Sequence, residues 1–240
     1  MIKLSIITVV RNDVKNVEKT ILSVLTQNFD NFEYVVIDGE STDGTSQIIK
    51  KYSKKLKHVR SKDLGIYDAL NKGIKNSNGR YVGIIHSGDM YRNKNILKMI
   101  NKDIKDYDYV SYNMKYWKKL KLIRNWRLPI KNINIYNFFY IAHPTLFVKK
   151  KIFKKRNYNL KFKISADTDF LLYMSSQKSL NYKYFDKYIM NCAYGGVSTD
   201  SKYFFKKFRE DLKIFHSYFG KKGIFLLFYK ILIKIKSFNF

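Results

Sequence analysis

Three aspartates stand where carboxylates do chemistry. Asp38 ends an apolar run, Tyr34-Val35-Val36-Ile37-Asp38, and leads into Gly39-Glu40-Ser41-Thr42-Asp43-Gly44-Thr45. Asp89 closes a second, Tyr81-Val82-Gly83-Ile84-Ile85-His86-Ser87-Gly88-Asp89, and Asp167 opens a helical pattern after Ile164-Ser165-Ala166. A carboxylate at a strand end can accept a hydrogen bond from a nucleotide base, and glycines just after it let the chain turn close to a ligand. Ser41 and Asp43 equally suit a plain turn and the cap of a following helix. Asp89, behind the small residues Ser87 and Gly88, offers a hard oxygen ligand where a diphosphate can approach, which is the chemistry of Mg²⁺ or Mn²⁺. A turn or N-cap would use the same residue. The fingerprint G-x-G-x-x-G is absent, which argues against a nicotinamide dehydrogenase.

Further polar positions surround these three. Asn71 and Gly73 fall inside a helical pattern, where both types are disfavoured, so they are close-packed or functional. His143 precedes Pro144 in an aromatic and basic stretch, and His86 lies beside Asp89; each reads as a site residue or as a satisfied structural histidine. Gly195-Gly196 before Val197-Ser198 reads as a mobile loop over the site or as a simple turn.

The elements that must position these residues follow from hydrophobic spacing. Leu4–Val10 is a short apolar run suited to a strand buried on both faces. Val14, Val17, Ile21, Val24 and Leu25 recur at helical spacing up to Gln27. The second strand is Phe32–Asp38, the second helix Thr45–Tyr52, and His58-Val59-Arg60 is a weak third strand. A helix over Ile66–Ile74 ends at Asn76-Ser77-Asn78-Gly79; Tyr81–Ile85 is the fourth strand, with a helix around Asn95–Ile104. Repeated β-α units of this size predict a parallel sheet with right-handed crossovers, whose strand ends bring Asp38 and Asp89 to one crevice. After residue 105, Tyr109–Tyr116 and Lys121–Trp126 read as an antiparallel pair, and helices are expected at 167–177 and 200–219.

Bulk properties bound the class. A chain of 240 residues, 45% apolar and 17% aromatic, buries a full core. Its single cysteine, Cys192, rules out an internal disulfide framework and suits a reducing cytosol. Met1 leads straight into a strand pattern with no visible secretory signal, and no apolar run reaches spanning length. The net charge of +28 is uneven: residues 1–100 carry 17 basic and 10 acidic side chains, residues 101–240 carry 30 and 9. Between Asp108 and Asp167 there is no acid and there are 15 Lys or Arg. Lysine-rich translation bias supplies lysines but does not remove acids, so a basic surface facing phosphates or anionic lipid is the better account. The tail from Gly220 to Lys236 holds five lysines, no acid and an apolar run too short to span. It reads as a basic helix at an anionic membrane surface, or as a helix packed on the catalytic domain.

In order along the chain, four pieces resemble the inverting family 2 glycosyltransferases of bacterial polysaccharide assembly. They are Ser5-Ile6-Ile7-Thr8-Val9-Val10-Arg11-Asn12, Val36 to Thr45, Asp63-Leu64-Gly65-Ile66-Tyr67-Asp68-Ala69-Leu70-Asn71-Lys72-Gly73-Ile74, and Ser87-Gly88-Asp89. A weaker likeness continues through His143-Pro144-Thr145-Leu146-Phe147, Ile164-Ser165-Ala166-Asp167 and Gly195-Gly196-Val197-Ser198. The resemblance implies a Rossmann-like GT-A nucleotide-sugar-binding fold: a mainly parallel central sheet, a smaller antiparallel part and C-terminal helices. Residues 1–200 would form the catalytic domain, with 1–105 the nucleotide-binding half and 106–200 the acceptor half, and 201–240 a basic helical tail. Thr8, Arg11, Asp38, Asp63, Asn71 and Ser87 would then line the nucleotide site. Asp89 would bind Mn²⁺ or Mg²⁺, although Ser87 stands where the family's Asp-x-Asp element has its first acid. Asp167 aligns with the general base, with Asp169 as the alternative two residues on.

The implied partners are a nucleotide-sugar donor, with uracil suited to Asp38, a glycan or lipid-linked acceptor, and an anionic membrane surface on the cytoplasmic side. A sugar-phosphate nucleotidyltransferase would place a Gly-rich phosphate loop after the first strand, where this chain has Thr8-Val9-Val10-Arg11-Asn12. A nucleic-acid-binding protein fits the charge and the aromatics, but none of its motifs is present and the aromatics fall mostly at core spacing, so no nucleic acid is expected.

Overall fold

The computed structural model describes residues 3–129, 133–195 and 201–236. Gly196-Val197-Ser198 of the expected site loop lies outside them. The first apolar run forms β1 (Leu4–Val10), buried along its whole length. It is followed by α1 (Val17–Leu25), β2 (Phe32–Asp38), α2 (Thr45–Lys51), β3 (Lys57–Arg60), α3 (Ile66–Lys75), β4 (Tyr81–Ile84), β5 (Met90–Tyr91) and α4 (Ile96–Asp103). The second half comprises β6 (Tyr109–Lys118), β7 (Lys121–Trp126), β8 (Phe147–Lys149), α5 (Lys150–Lys155), α6 (Ala166–Ser176), β9 (Tyr182–Ala193), α7 (Phe204–Phe219) and α8 (Gly223–Lys236).

The strands join one sheet in the order β3-β2-β1-β4-β8-β6-β9-β5, with β7 paired to β6. The β3-β2-β1-β4 half is parallel, as the alternating β-α rhythm requires. β8 turns the direction against β4, and β9 runs parallel to β6. In register, Val10 lies beside Asp38 and Asp38 beside Arg60, so the strand ends of the parallel half meet at one edge.

The strands' alternation divides the core. Ile7, Val9, Val35 and Ile37 face a layer built from α3, α6, α7 and α8, including Leu70, Phe170, Phe215 and Leu227. Leu4, Ile6, Val10 and Val36 face the opposite layer, with Val17, Ile21 and Val24 of α1 and Leu97 and Ile100 of α4. Gly73 brings α3 close to the sheet: a Cβ there would lie 2.5 Å from Ile7 Cγ2.

Several boundaries differ from the sequence expectation for identifiable reasons. α1 begins at Val17, not Val14, because the Asp13 carbonyl accepts from Asn16 and Val17 N–H and holds residues 13–16 in a turn. Asp43 does accept from Thr45 N–H at the start of α2, but Ser41 is not a cap: its Oγ accepts from Asn12 N–H. β9, the longest strand, has an irregular exposure pattern with no clean two-residue period, and its register shifts twice against β6.

The tail packs on the catalytic half. Glu210 of α7 accepts from the backbone N–H of Lys163, Ile164 and Ser165, and Lys230 of α8 donates to Asp211 and to Thr168. The lysines expected to face outward on α8 are therefore partly turned in: Lys230 is buried, and half-buried Lys234 lies 5.9 Å over the Trp126 ring. No helix among the described residues is long and apolar enough to cross a membrane.

Because Ile7 is a stiff, fully buried β-branched side chain, Gly73→Val is expected to destabilise the fold by about 2–4 kcal/mol, read as a lowered urea midpoint.

Candidate active site

The loop after β1 is stapled to the loop after β2. Asn12, in a left-handed conformation at φ 53°, donates its N–H to Ser41 Oγ and accepts from Thr42 N–H. Asp13 N–H donates to Thr45 Oγ1, and Val14 N–H to Asp43. These bonds hold Arg11, Gly39 and the end of β2 at one rim. Gly39 is required there: a Cβ would lie 2.3 Å from Asp63 Oδ2 and 3.4 Å from two Arg11 carbons. The missing side chain is thus what lets Arg11 and Asp63 approach the strand ends. Asp63 Oδ1 accepts from Gly65 N–H, which fixes the carboxylate at the start of α3.

Asp38 is fully buried. Its Oδ1 accepts from Ser41 N–H, while Oδ2 has no hydrogen-bond partner among the described residues and lies 3.7 Å from His58 Nε2 and 3.9 Å from Arg60 Nε. Burial pushes this carboxyl up, but the bonds from Ser41 and the charge of His58 outweigh it, and Asp38 is held below the usual carboxylate range. Burial likewise lowers His58. His58 Nε2 also lacks a partner, so two buried polar atoms point at the same small space.

Two residues assigned to the nucleotide from the sequence sit elsewhere. Thr8 is fully buried with its hydroxyl bonded to Tyr34 OH and to the Ile85 carbonyl, which ties β1 to β2 and β4. Asn71 uses both amide atoms on the backbone of Tyr158, accepting from its N–H and donating to its carbonyl. Ser87 does reach the rim, where its Oγ donates to Asp13 Oδ2.

Asp89 follows the turn after β4. Gly88 adopts φ 93°, and its N–H donates to Thr20 Oγ1, whose hydroxyl in turn donates to the Asp89 carbonyl. The Asp89 carboxylate accepts from Ala193 N–H at the end of β9 and lies beside the Cys192 thiol. Burial pushes it up to about 7, and the Ala193 N–H offsets this only in part. Among the described residues no group of three or more His, Cys, Asp or Glu could hold a metal. The donor set fits a divalent ion held by one buried carboxylate and chiefly by oxygens of a bound diphosphate, as hard cations accept, and not a preformed protein cage.

Across the crevice, Asp167 stands in the first turn of α6. Tyr67 OH donates to Asp167 Oδ1 and to the Ile164 carbonyl. His143 Nε2 is 2.7 Å from Tyr158 OH. Burial pushes Asp167 up, but Lys207 above all, then His143, Lys230 and Lys234, outweigh it and bring the carboxyl to about 2, while burial draws Lys234 itself well below the usual lysine range. Asp167's charge acts on His86 and Tyr116, and Tyr116 also feels Asp89. His86 is lowered to about 4 by burial and by His143, and is neutral near pH 7. Asp169 is differently placed: it is buried and paired with Arg156 through both oxygens, at 3.0 and 2.8 Å.

Sequence reasoning missed Asp13, Tyr158, Lys207 and Glu210. Glu210 left a readable trace, since Glu210 and Asp211 are the only acids in residues 201–240. An acid isolated in so basic a segment is a candidate for a specific buried contact.

The chain matches the family described as Glycosyl transferase family 2 over residues 5–180. It is 31% identical over 100 residues to the putative teichuronic acid biosynthesis glycosyltransferase TuaG of Bacillus subtilis, covering 40% of each chain. It spans 17–19% of three rickettsial glycosyltransferases that it also matches, so the chain is much shorter than several curated relatives. In structure it is similar to Staphylococcus aureus TarS in complex with UDP-GlcNAc, with a TM-score of 0.71, 23% identity, and 89% of this chain and 66% of that chain covered. It is also similar to the mannosyltransferase PcManGT of Pyrobaculum calidifontis in complex with GDP-Man and Mn²⁺, with a TM-score of 0.65, 13% identity, and 90% and 63% covered. These likenesses identify the fold as GT-A. A family match over residues 5–180, more than half of the chain, makes this protein a member of glycosyl transferase family 2.

Proposed function

We propose that this chain moves one sugar from a UDP-sugar to a glycan acceptor carried on lipid, in assembly of a bacterial surface polysaccharide (capsule, O-antigen or exopolysaccharide), by a single displacement that inverts the anomeric centre. The observation that carries the reading is the contrast between two neighbouring carboxylates. Asp167 is half-buried, ionised and hydrogen-bonded by Tyr67 beside the crevice, whereas Asp169 is committed to Arg156.

Asp38 Oδ2 would accept a base N–H such as that of uracil once base entry uncovers it from beside His58 Nε2, 3.7 Å away, and Asp63 and Arg11 flank the nucleotide over Gly39. Arg11, exposed at the rim, meets the diphosphate charge as it grows. Mn²⁺ or Mg²⁺ beside Asp89 would neutralise the departing diphosphate electrostatically. Asp167 takes the proton of the acceptor hydroxyl as its oxygen bonds to the anomeric carbon; the bond to the diphosphate oxygen breaks, and its electron pair leaves with the nucleotide. Tyr67, kept protonated by burial, holds Asp167 Oδ1 and leaves Oδ2 to face the acceptor. The relative TuaG, named for teichuronic acid biosynthesis, and the neighbour TarS, bound to UDP-GlcNAc, support the polymer and donor classes. A lipid-linked acceptor puts the enzyme peripherally on the cytoplasmic face of the membrane, in keeping with the basic tail.

The test is nucleotide release and sugar transfer from UDP-, GDP- and dTDP-sugars with Mn²⁺ or Mg²⁺. Turnover is expected with a UDP-sugar, falling about 10²–10⁴-fold in Asp89→Asn and in Asp167→Asn. Failure of all donors together with no UDP protection against thermal unfolding would sink the proposal. Gly39→Ala should weaken UDP protection by about tenfold or more, because the new Cβ displaces Asp63 and fills the nucleotide's space. It should scarcely lower the unliganded Tm, since the displaced Oδ2 is the free end of a side chain; calorimetry with and without UDP reads both.

The pH dependence has a defined sign. Asp167 faces Tyr67, Tyr158, His86, His143, Lys207, Lys230 and Lys234, with a folded value of about 2, below the ordinary ~3.9. It is therefore ionised, and its contribution to stability present, above pH ~4, and that contribution is lost as pH falls through about 2. Lys207→Gln should move the acid limb of kcat/KM to higher pH; an unmoved limb would remove Asp167 as the titrating base.

A further inference from the structure

Helix α8 is built inside out. Gly223, Leu227 and Lys230 are buried at one face, and half-buried Lys234 continues it. Ile224, Phe225, Phe228, Leu232 and Ile235 line the opposite face at helical spacing and are exposed, Phe225 by 75% and Leu232 by 57%. A helix that packs on a domain and faces water has the reverse pattern. Nine of the fifteen large apolar side chains exposed among the described residues fall between Tyr203 and Ile235.

The neighbouring helix supplies charge of one sign. Lys161, Lys206, Arg209 and Lys213 line a groove with Phe162 and Glu210, and Phe205 beside it is 76% exposed. Glu210 is itself buried and spent on three backbone N–H groups. The other tail acid, Asp211, is buried against Lys230. Every charge that residues 202–235 present outward is therefore positive.

We infer that the outward faces of α7 and α8 form a bilayer-insertion surface, with the hydrocarbon of α8 entering the headgroup–acyl boundary and the groove on α7 taking phosphates of anionic lipids. Apolar residues backed by lysines fit this environment, and a helix of 14 residues, ~21 Å long, can lie in the boundary without crossing it. Charge decides against a second copy of the chain as the occupant: docking two molecules of net charge +28 through a lysine-rimmed face brings like charges together. This deepens the membrane reading above, which adsorption through the α8 lysines alone would also satisfy. Lys230 is not available for adsorption.

The full chain is sedimented with phosphatidylcholine vesicles, with and without phosphatidylglycerol, at low and high salt. The wild type is expected to pellet with the anionic vesicles and to keep a salt-resistant fraction. The triple variant Phe225→Glu/Phe228→Glu/Leu232→Glu should lose binding by about tenfold or more, and Lys206→Gln/Arg209→Gln/Lys213→Gln should lose the preference for phosphatidylglycerol. Protection by UDP is measured on each variant and should be unchanged, since none of these residues touches the nucleotide rim. Wild-type-like pelleting of the glutamate variant would overturn the inference while leaving electrostatic adsorption standing. Absence of wild-type binding to any vesicle would overturn both membrane readings and leave the transfer chemistry untouched. A wild-type dimer in light scattering that the glutamate variant dissociates would assign the face to a second copy.

Discussion

The carboxylate of Glu210 closes over three consecutive backbone N–H groups, those of Lys163, Ile164 and Ser165, immediately before Asp167. Without it the N–H groups of Ile164 and Ser165 would be buried and unpaired, at a cost of about 1–3 kcal/mol each. This contact sets where α6 starts, and so where the Asp167 carboxylate stands relative to the ends of β1, β2 and β4. It also makes α7 part of the site's framework: the helix that supplies Glu210 supplies Lys207 and Asp211 as well. The surroundings of Asp167 are thus assembled from the tail inward, while those of Asp38 are assembled from the sheet outward.

On this frame the carboxylates are distinguished by environment alone. Asp89 is desolvated with few donors and is drawn up to about 7; Asp167 is desolvated too, but sits among lysines and falls to about 2. Asp38 is fixed by Ser41 and His58, and Asp169 by Arg156. One residue type is thus held in four different states of charge and pairing, according to what surrounds it. The strongly basic chain makes this affordable in electrostatic terms, because cations are available wherever a carboxylate must stay ionised.

The parallel half was legible because its strands are continuous apolar runs: β1 and β2 have the predicted limits, and α3 differs from its predicted span only at the C-terminal end. Gly73 was legible as an exception inside a helix, and its reason is the Ile7 methyl. β9 was not, since its exposure follows pairing with β5 and a doubly shifted register against β6, neither of which local spacing encodes. The places of Asp38 at the end of β2 and of Asp89 in the turn after β4 could be read from the apolar runs before them. The different surroundings of Asp167 and Asp169 could not, because Arg156, which pairs with Asp169, belongs to another element. Thr8 and Asn71 carried motif positions but are engaged by Tyr34, Ile85 and Tyr158, contacts visible only after folding.

The reversed polarity of α8 has a practical consequence. Trimming this helix to obtain a better-behaved sample would remove greasy surface, yet it would also strip Asp211 of its counter-ion Lys230, which also helps to hold Asp167 low. Solubility engineering is therefore better aimed at single outward positions such as Phe225 than at the chain terminus.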